Sequence, residues 1–190
     1  MKKDRLEAFS DGVLAIIITI MVLELRPPDG ITFQDLKSQV PTFLGYAVSF
    51  AYLGMCWVNH YELIQRSKIV TGRVLWSNLL WLFLTSLIPF ATAWASQSGF
   101  SKEPTALYSA VLTAGALSYH LLIHSVDRLE KRNVGYFEIL KRDRRSRLTI
   151  LMSALSIGTA FILPILSYII VGALAASWII PAACKKEEGK

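Results

Sequence analysis

Cysteine and histidine are scarce in this chain, at two and three among 190 residues. Cys56 and Cys184 both sit deep in apolar context, so neither a disulfide framework nor a redox motif can be read. The sequence also lacks a Gly-rich phosphate loop, a Gly-x-Ser-x-Gly elbow and a Cys-x-x-Cys pair. No catalytic residue, enzymatic activity or cofactor is expected. Charge is sparse as well: 18% of residues carry it, against 53% that are hydrophobic, too apolar a balance for an ordinary soluble domain of this length. No cleavable signal pattern follows Met1, because Asp11 interrupts the apolar run and no small-residue cleavage site comes after it.

What is present in quantity is long uncharged sequence. Ser38–Tyr61, Val74–Ser101 and Thr105–Ser125 run for 24, 28 and 21 residues, each enough for one membrane-crossing helix. Leu148–Cys184 runs for 37 residues, roughly 55 Å if helical throughout, nearly twice a bilayer core. It is expected to form two spans with a break at Pro164, which tolerates a first helical turn and not an interior one. Residues 5–24 add a further, shorter segment. Only twelve uncharged residues separate Asp11 from Glu24, about 18 Å of helix. Such a segment crosses a membrane only if protein or water shields its charged ends. The expectation is an all-α integral membrane protein, a single domain over 1–190 with six transmembrane helices near 6–26, 38–65, 73–98, 104–127, 147–163 and 164–184.

Charge placement supports an even count. Of 20 Lys and Arg, 17 fall in the N-terminus, the loops after the second and fourth spans, or the tail. Only Arg26, Lys37 and Lys102 fall on the other face, which places both termini in the cytoplasm. The net charge of +6 is thus an orientation signal. Arg142, Arg144, Arg145 and Arg147 are expected to meet anionic headgroups, and no nucleic-acid partner is expected.

Polar side chains inside the spans are the functional candidates, because lipid excludes them. Ser10, Asp11, Asn59, His60, Asn78, His120 and His124 all fall toward the cytoplasmic half. They can serve as glue between helices, or as a joint at the inner end of a pathway. Asp11 is expected to accept hydrogen bonds from neighbours such as Ser10 and His60. His120, His124 and Asp127 recur at i, i+4, i+7, a spacing that could hold a metal, yet no His-Glu-x-x-His pattern accompanies them and no metal is expected. On the first span, Ile16, Ile20 and Leu23 recur at i, i+4, i+7 and share a face, with Thr19 about 60° from Ile16 and Asp11 about 140° away. Such a stripe faces lipid, or it forms stacked apolar rings if several copies surround an axis. A hydrophobic constriction of that kind gates by dewetting.

The run Arg5-x-x-x-Phe9-Ser10-Asp11-Gly12-Val13, continued by an aliphatic helix to Leu23-Glu24, resembles the signature of the transmembrane protein 175 family of endosomal and lysosomal potassium channels and their bacterial relatives. Trp57-x-Asn59-His60, and Asn78 with Ser86-Leu-Ile-Pro89-Phe90, resemble that family's second and third spans. The resemblance implies a multi-pass potassium channel of the bacterial cell membrane, assembled as a homotetramer around a central pore lined by the first helix. It implies a pore constriction at Ile16, Ile20 and Leu23, a selectivity layer at Thr19, and an interhelical polar network of Phe9, Ser10, Asp11, Trp57, His60 and Asn78.

No Thr-Val-Gly-Tyr-Gly filter is present. A ring of Ile16 side chains offers no ligand to replace a hydration shell, so potassium ions are expected to pass partly hydrated and with modest selectivity. Two other classes compete with a channel. A proton-coupled secondary transporter would use Asp11 and His60 as a relay, although no inverted repeat appears. A non-transporting scaffold would bind anionic lipid.

Overall fold

Every regular element in the described residues is helical. The computed structural model describes residues 2–67, 69–130 and 144–184, apart from the side chains of 130, 144–146 and 178–184. The elements are α1 (Lys3–Val22), α2 (Phe33–Leu36), α3 (Val40–Arg66), α4 (Gly72–Thr85), α5 (Ile88–Gln97), α6 (Lys102–Asp127), α7 (Arg144–Ile162) and α8 (Pro164–Cys184). Three segments, Phe33–Arg66, Gly72–Gln97 and Lys102–Asp127, are apolar and long enough to cross a membrane by length and composition.

Local chemistry fixes where these helices start and stop. Thr32 and Asp35 form a capping box at α2: Asp35 Oδ2 accepts from the Thr32 amide at 3.0 Å, and Thr32 Oγ1 from the Asp35 amide at 3.4 Å. Pro41 sits in the first turn of α3, where its missing N–H costs nothing. The stretch read from sequence as one span over 73–98 is two helices, α4 and α5, parted at Ser86–Leu87. Pro89 has no N–H to offer the Thr85 carbonyl, so the helical ladder cannot continue through it. Ser86 Oγ donates back to Phe83 O at 2.7 Å beside the break. The 37-residue apolar stretch parts at Leu163, immediately before Pro164. Its two helices are tied by hydroxyls, with Thr159 and Ser167 at 2.9 Å and Ser167 Oγ donating to Ser156 O at 2.8 Å.

The bundle centres on α3, α5 and α6, with α7 and α8 against one side and α1 against another. Its core combines aromatics with aliphatics; Trp81, Tyr108, Leu53, Ile64, Leu112 and Leu122 are all buried. A hydroxyl seam runs through it. Ser49 Oγ lies 2.8 Å from Thr92 Oγ1 and 3.0 Å from Tyr108 OH, which ties α3 to α5 and α6. The Tyr108 ring stacks on Tyr168 of α8 at 4.7 Å. With no water to solvate them in a bilayer, these groups must find partners within the protein.

α3 and α5 meet at Gly45, where an added Cβ would stand 2.8 Å from Ser96 Cβ. Small residues at such crossings let helix backbones approach closely. Gly45→Ala is therefore expected to push the two helices apart at a cost of about 1–3 kcal/mol, read as a lower midpoint of thermal unfolding in detergent. Gly158→Ala on α7, where a Cβ meets nothing within 4 Å, is expected to raise stability by about 0.5–1 kcal/mol. Equal effects at the two sites would mean that the Gly45 approach is not a packing constraint.

Candidate functional site

The site is built on α1, whose sequence alternates two faces. Leu6, Ser10, Leu14, Ile17 and Met21, spaced three or four apart, are buried against α3, α4 and α5. The uncovered side carries Phe9, Ile16, Ile20 and Leu23, exposed by 52%, 59%, 45% and 73%. The aliphatic residues of the sequence-read stripe thus share an uncovered face of this chain, with Leu23 just beyond the last helical residue.

Thr19 lies on the uncovered side too, and its hydroxyl proton is committed. Oγ1 donates within the helix, 2.9 Å from Ala15 O and 3.0 Å from Ile16 O. A hydroxyl that has spent its donor on the backbone presents only acceptor lone pairs outward. Such a group suits a cation and not an anion.

The buried face is fastened by one amide. Asn78 of α4 donates from Nδ2 to Ser10 Oγ at 2.9 Å, and its Oδ1 lies 2.8 Å from His60 Nε2 of α3. Ser10 Oγ in turn donates to Leu6 O at 2.8 Å. That last acceptor is a carbonyl, so the direction of the whole chain is set: His60 Nε2 carries the proton, and donation runs His60 to Asn78 to Ser10 to Leu6. Ser10, His60 and Asn78 are all fully buried. The His60 ring stacks on Trp81 at 4.8 Å with planes 9° apart. Membrane helices are glued by bonds of this kind.

Asp11 belongs to a different contact. The expected partners, Ser10 and His60, are engaged with Asn78, and the carboxylate accepts instead from Trp57 Nε1 at 2.9 Å. The reason is angular: Ser10 and Asp11 are adjacent, so about 100° of helix rotation separates their side chains. The structure therefore divides the sequence-read network into a Ser10–Asn78–His60 chain and an Asp11–Trp57 pair, and Phe9 joins neither. A third tie was not read from sequence. Lys3 Nζ donates to Gln65 Oε1 at 2.8 Å, and Gln65 Nε2 donates to Glu7 Oε1 at 3.1 Å, which pins the start of α1 to the end of α3. The i, i+4 repeat of Lys3 and Glu7 was the available signal.

Beside the exposed face runs an open groove of about 840 Å³ between α1 and α5, lined by Ile16, Ile20, Glu24, Ser86, Phe90 and Trp94 among others. At one end of it Gln97 Nε2 donates to Glu24 Oε2 at 3.2 Å. Among the described residues no group of three His, Cys, Asp or Glu side chains is placed to hold a metal ion. Of the arginines expected to meet headgroups, Arg142 and the side chains of Arg144 and Arg145 lie outside the described residues; Arg147 is half-buried at the start of α7.

Comparison with known proteins then narrows what such an arrangement does. The family profile of the endosomal/lysosomal potassium channel TMEM175 matches residues 5–89, the stretch holding α1, the Asn78 fastening and the α4–α5 break. A protein named as a potassium channel from Chryseobacterium sp. (strain P1-3) is 44% identical over 184 residues, covering 95% of this chain and 94% of its own. The crystal structure of a lysosomal potassium-selective channel TMEM175 homolog from Chamaesiphon minutus superposes with a TM-score of 0.80 at 27% identity, covering 94% of this chain and 97% of that one. The mouse protein named endosomal/lysosomal proton channel TMEM175 is 32% identical over 116 residues, 55% of this chain and 23% of its own length.

Removing the amide tests the fastening. Asn78→Ala strands the Ser10 acceptor and the His60 N–H in the bundle, at about 1–3 kcal/mol for each unsatisfied group, seen as a fall in thermal midpoint. A double-mutant cycle with Ser10→Ala is expected to return a coupling of about 0.5–3 kcal/mol. Additive losses would mean that the two side chains act independently.

Proposed function

The chain belongs to the TMEM175 family of ion channels, and on that premise we propose that it is a potassium-permeable channel of a bacterial membrane, built from four copies with α1 of each lining a central pore. Six spans per copy would be supplied by α1, α3, α4 with α5, α6, α7 and α8, with both termini cytoplasmic. The observation that carries this reading is the division of α1 into two faces. One is fastened to the bundle by buried hydrogen bonds; the other offers Ile16, Ile20 and Leu23 uncovered. A helix with Asp4, Glu7 and Asp11 in its first half is a poor lipid-facing helix. At the rim of a water-filled path those charges have solvent, and the aliphatic face has a use.

In that arrangement Ile16 forms the constriction and Ile20 and Leu23 the rings beyond it. None of the three offers an oxygen to a dehydrated ion, so potassium passes with part of its water, and preference over sodium is modest because it reflects only the smaller cost of stripping potassium. Thr19 adds the one oxygen layer near the constriction, its lone pairs turned outward by the bonds to Ala15 and Ile16. Ser10, Asn78 and His60 hold the helix at the angle that presents these residues. Asp11, paired with Trp57, serves the same anchoring role. This use of the polar residues leaves the proton relay of a transporter without a chain from Asp11 to His60.

Recordings from the purified protein in planar bilayers test the reading. Unitary currents identify a channel, turnover-limited flux coupled to protons identifies a transporter, and silence favours a scaffold. Two substitutions sharpen the assignment. Ile16→Asn is expected to wet the constriction, raising conductance severalfold and weakening potassium preference; unchanged currents and reversal potentials would remove Ile16 from the pore. Thr19→Val, nearly isosteric without the oxygen, is expected to bring potassium and sodium permeabilities together in bi-ionic reversal potentials. An intact ratio would reduce Thr19 to a packing residue.

A further inference from the structure

The outer end of α1 carries a carboxylate that the constriction does not use. Glu24 follows the last turn, its amide bonded to Met21 O at 3.3 Å, and its side chain lines the outer end of the groove whose inner wall is Ile16 and Ile20. The last carbonyls of α1, those of Ile20, Met21 and Val22, accept from the amides of Leu23, Glu24 and Leu25, and α1 points the negative end of its dipole here as well. Glu24 is half-buried, and its partner is a neutral one: Gln97 of α5 donates to Oε2 at 3.2 Å. An amide donor fixes a carboxylate in place without cancelling its charge, as a lysine or arginine would. Among the described residues no ion pair involves Glu24.

The surroundings do not reverse that charge. The described residues linking α1 to α3 and α5 to α6, including the first two of α6, carry Glu24, Asp29, Asp35 and Glu103 against Arg26, Lys37 and Lys102, four acids to three bases. The opposite face of the membrane holds the basic excess. Glu24 apart, these residues balance at three acids to three bases, so the charge that a cation approaching from the outer side meets is that of Glu24.

We infer that Glu24 sets the rate at which cations are admitted from the outer side, acting through its field at the mouth of the pore, with Gln97 as its positioning residue. The inference rests on the four-copy arrangement proposed above, in which four Glu24 carboxylates stand in front of the aliphatic rings. Apolar walls focus such a field, and electrostatic focusing raises local cation concentration and on-rates by about ten-fold or more. The constriction selects and gates; the carboxylates load it. Because the effect is one of long-range charge, it must fade with ionic strength. The screening length is about 30 Å near 0.01 M salt and about 3 Å near 1 M.

The test is inward potassium current through the reconstituted full-length protein at those two ionic strengths. Glu24→Gln is expected to cut inward current about three-fold or more near 0.01 M and to leave it nearly unchanged near 1 M. Glu24→Asp, which keeps the charge, is expected to restore the low-salt current. Equal losses at both salt concentrations, or no loss at low salt, would overturn the inference. Should either variant fail to assemble, the wild-type channel gives its own reading. Magnesium ions added to the outer side at low ionic strength are expected to reduce inward current by neutralising the mouth, and insensitivity to them would overturn the inference. A mass measurement on the detergent-extracted particle separates this outcome from failure of the underlying reading. A particle that is not four copies rejects the arrangement itself, whereas a tetramer insensitive to charge at position 24 rejects only the role of Glu24.

Discussion

Asn78 reaches from α4 to α1 with both ends of one amide engaged, and the orientation of the first helix depends on it. Its N–H donates to the Ser10 hydroxyl and its carbonyl accepts from the His60 N–H, so three helices meet at one side chain. Rotating α1 by a single residue, about 100°, would break the Ser10 bond, pull Asp11 off Trp57 and turn Ile16 away from the uncovered face. Aliphatic packing alone could not forbid this rotation. Leu, Ile and Val have no direction, and membrane helices gain little by burying them from equally apolar lipid. A buried amide with fixed partners does forbid it, because each broken bond leaves a polar group in hydrocarbon.

The same requirement accounts for the charged and polar residues along this helix. Lys3 and Glu7 are tied through Gln65, Asp11 through Trp57 and Glu24 through Gln97, so α1 is fastened along its length to α3 and α5 by polar contacts. The remaining face is left to the aliphatics and to Thr19. Polar contacts fasten this helix beside a buried row of Leu6, Leu14, Ile17 and Met21, and aliphatic residues also form much of its uncovered face, an inversion of the polar surface that a helix in a soluble protein presents. In a four-copy channel that inversion places the least hydrated side chains where ions are most crowded, which is the condition for a dewetting constriction.

Much of this was legible before any coordinates. The four uncharged stretches, the asymmetry of Lys and Arg, and the Phe-Ser-Asp block within a short charged helix pointed to a multi-pass channel of the TMEM175 family, which the comparisons with relatives support. Ile16, Ile20 and Leu23 could be placed on one face because helical periodicity is local and needs no partner. The partner of Asp11 could not. Whether a carboxylate meets His60 or Trp57 depends on how α1 and α3 cross, and the separation of 46 residues between Asp11 and Trp57 leaves no trace in spacing. The hydroxyl seam of Ser49, Thr92 and Tyr108 was invisible for a similar reason: serine, threonine and tyrosine are common in apolar helices, and only their convergence distinguishes them.

Sequence by itself determined that the chain is helical and apolar, that Pro164 would interrupt it, which residues of α1 share a face, and which side chains were too polar to meet lipid. These follow from bond geometry, the missing N–H of proline and the cost of desolvation, all properties of a residue and its near neighbours. Only the tertiary structure decided which of those polar groups satisfy one another. It joined Ser10 to Asn78 and His60, gave Asp11 to Trp57, and set Gln97 against Glu24 across 73 residues. Hydrogen bonds act over about 3 Å, and which groups come that close is fixed by how whole helices cross, which no local pattern encodes.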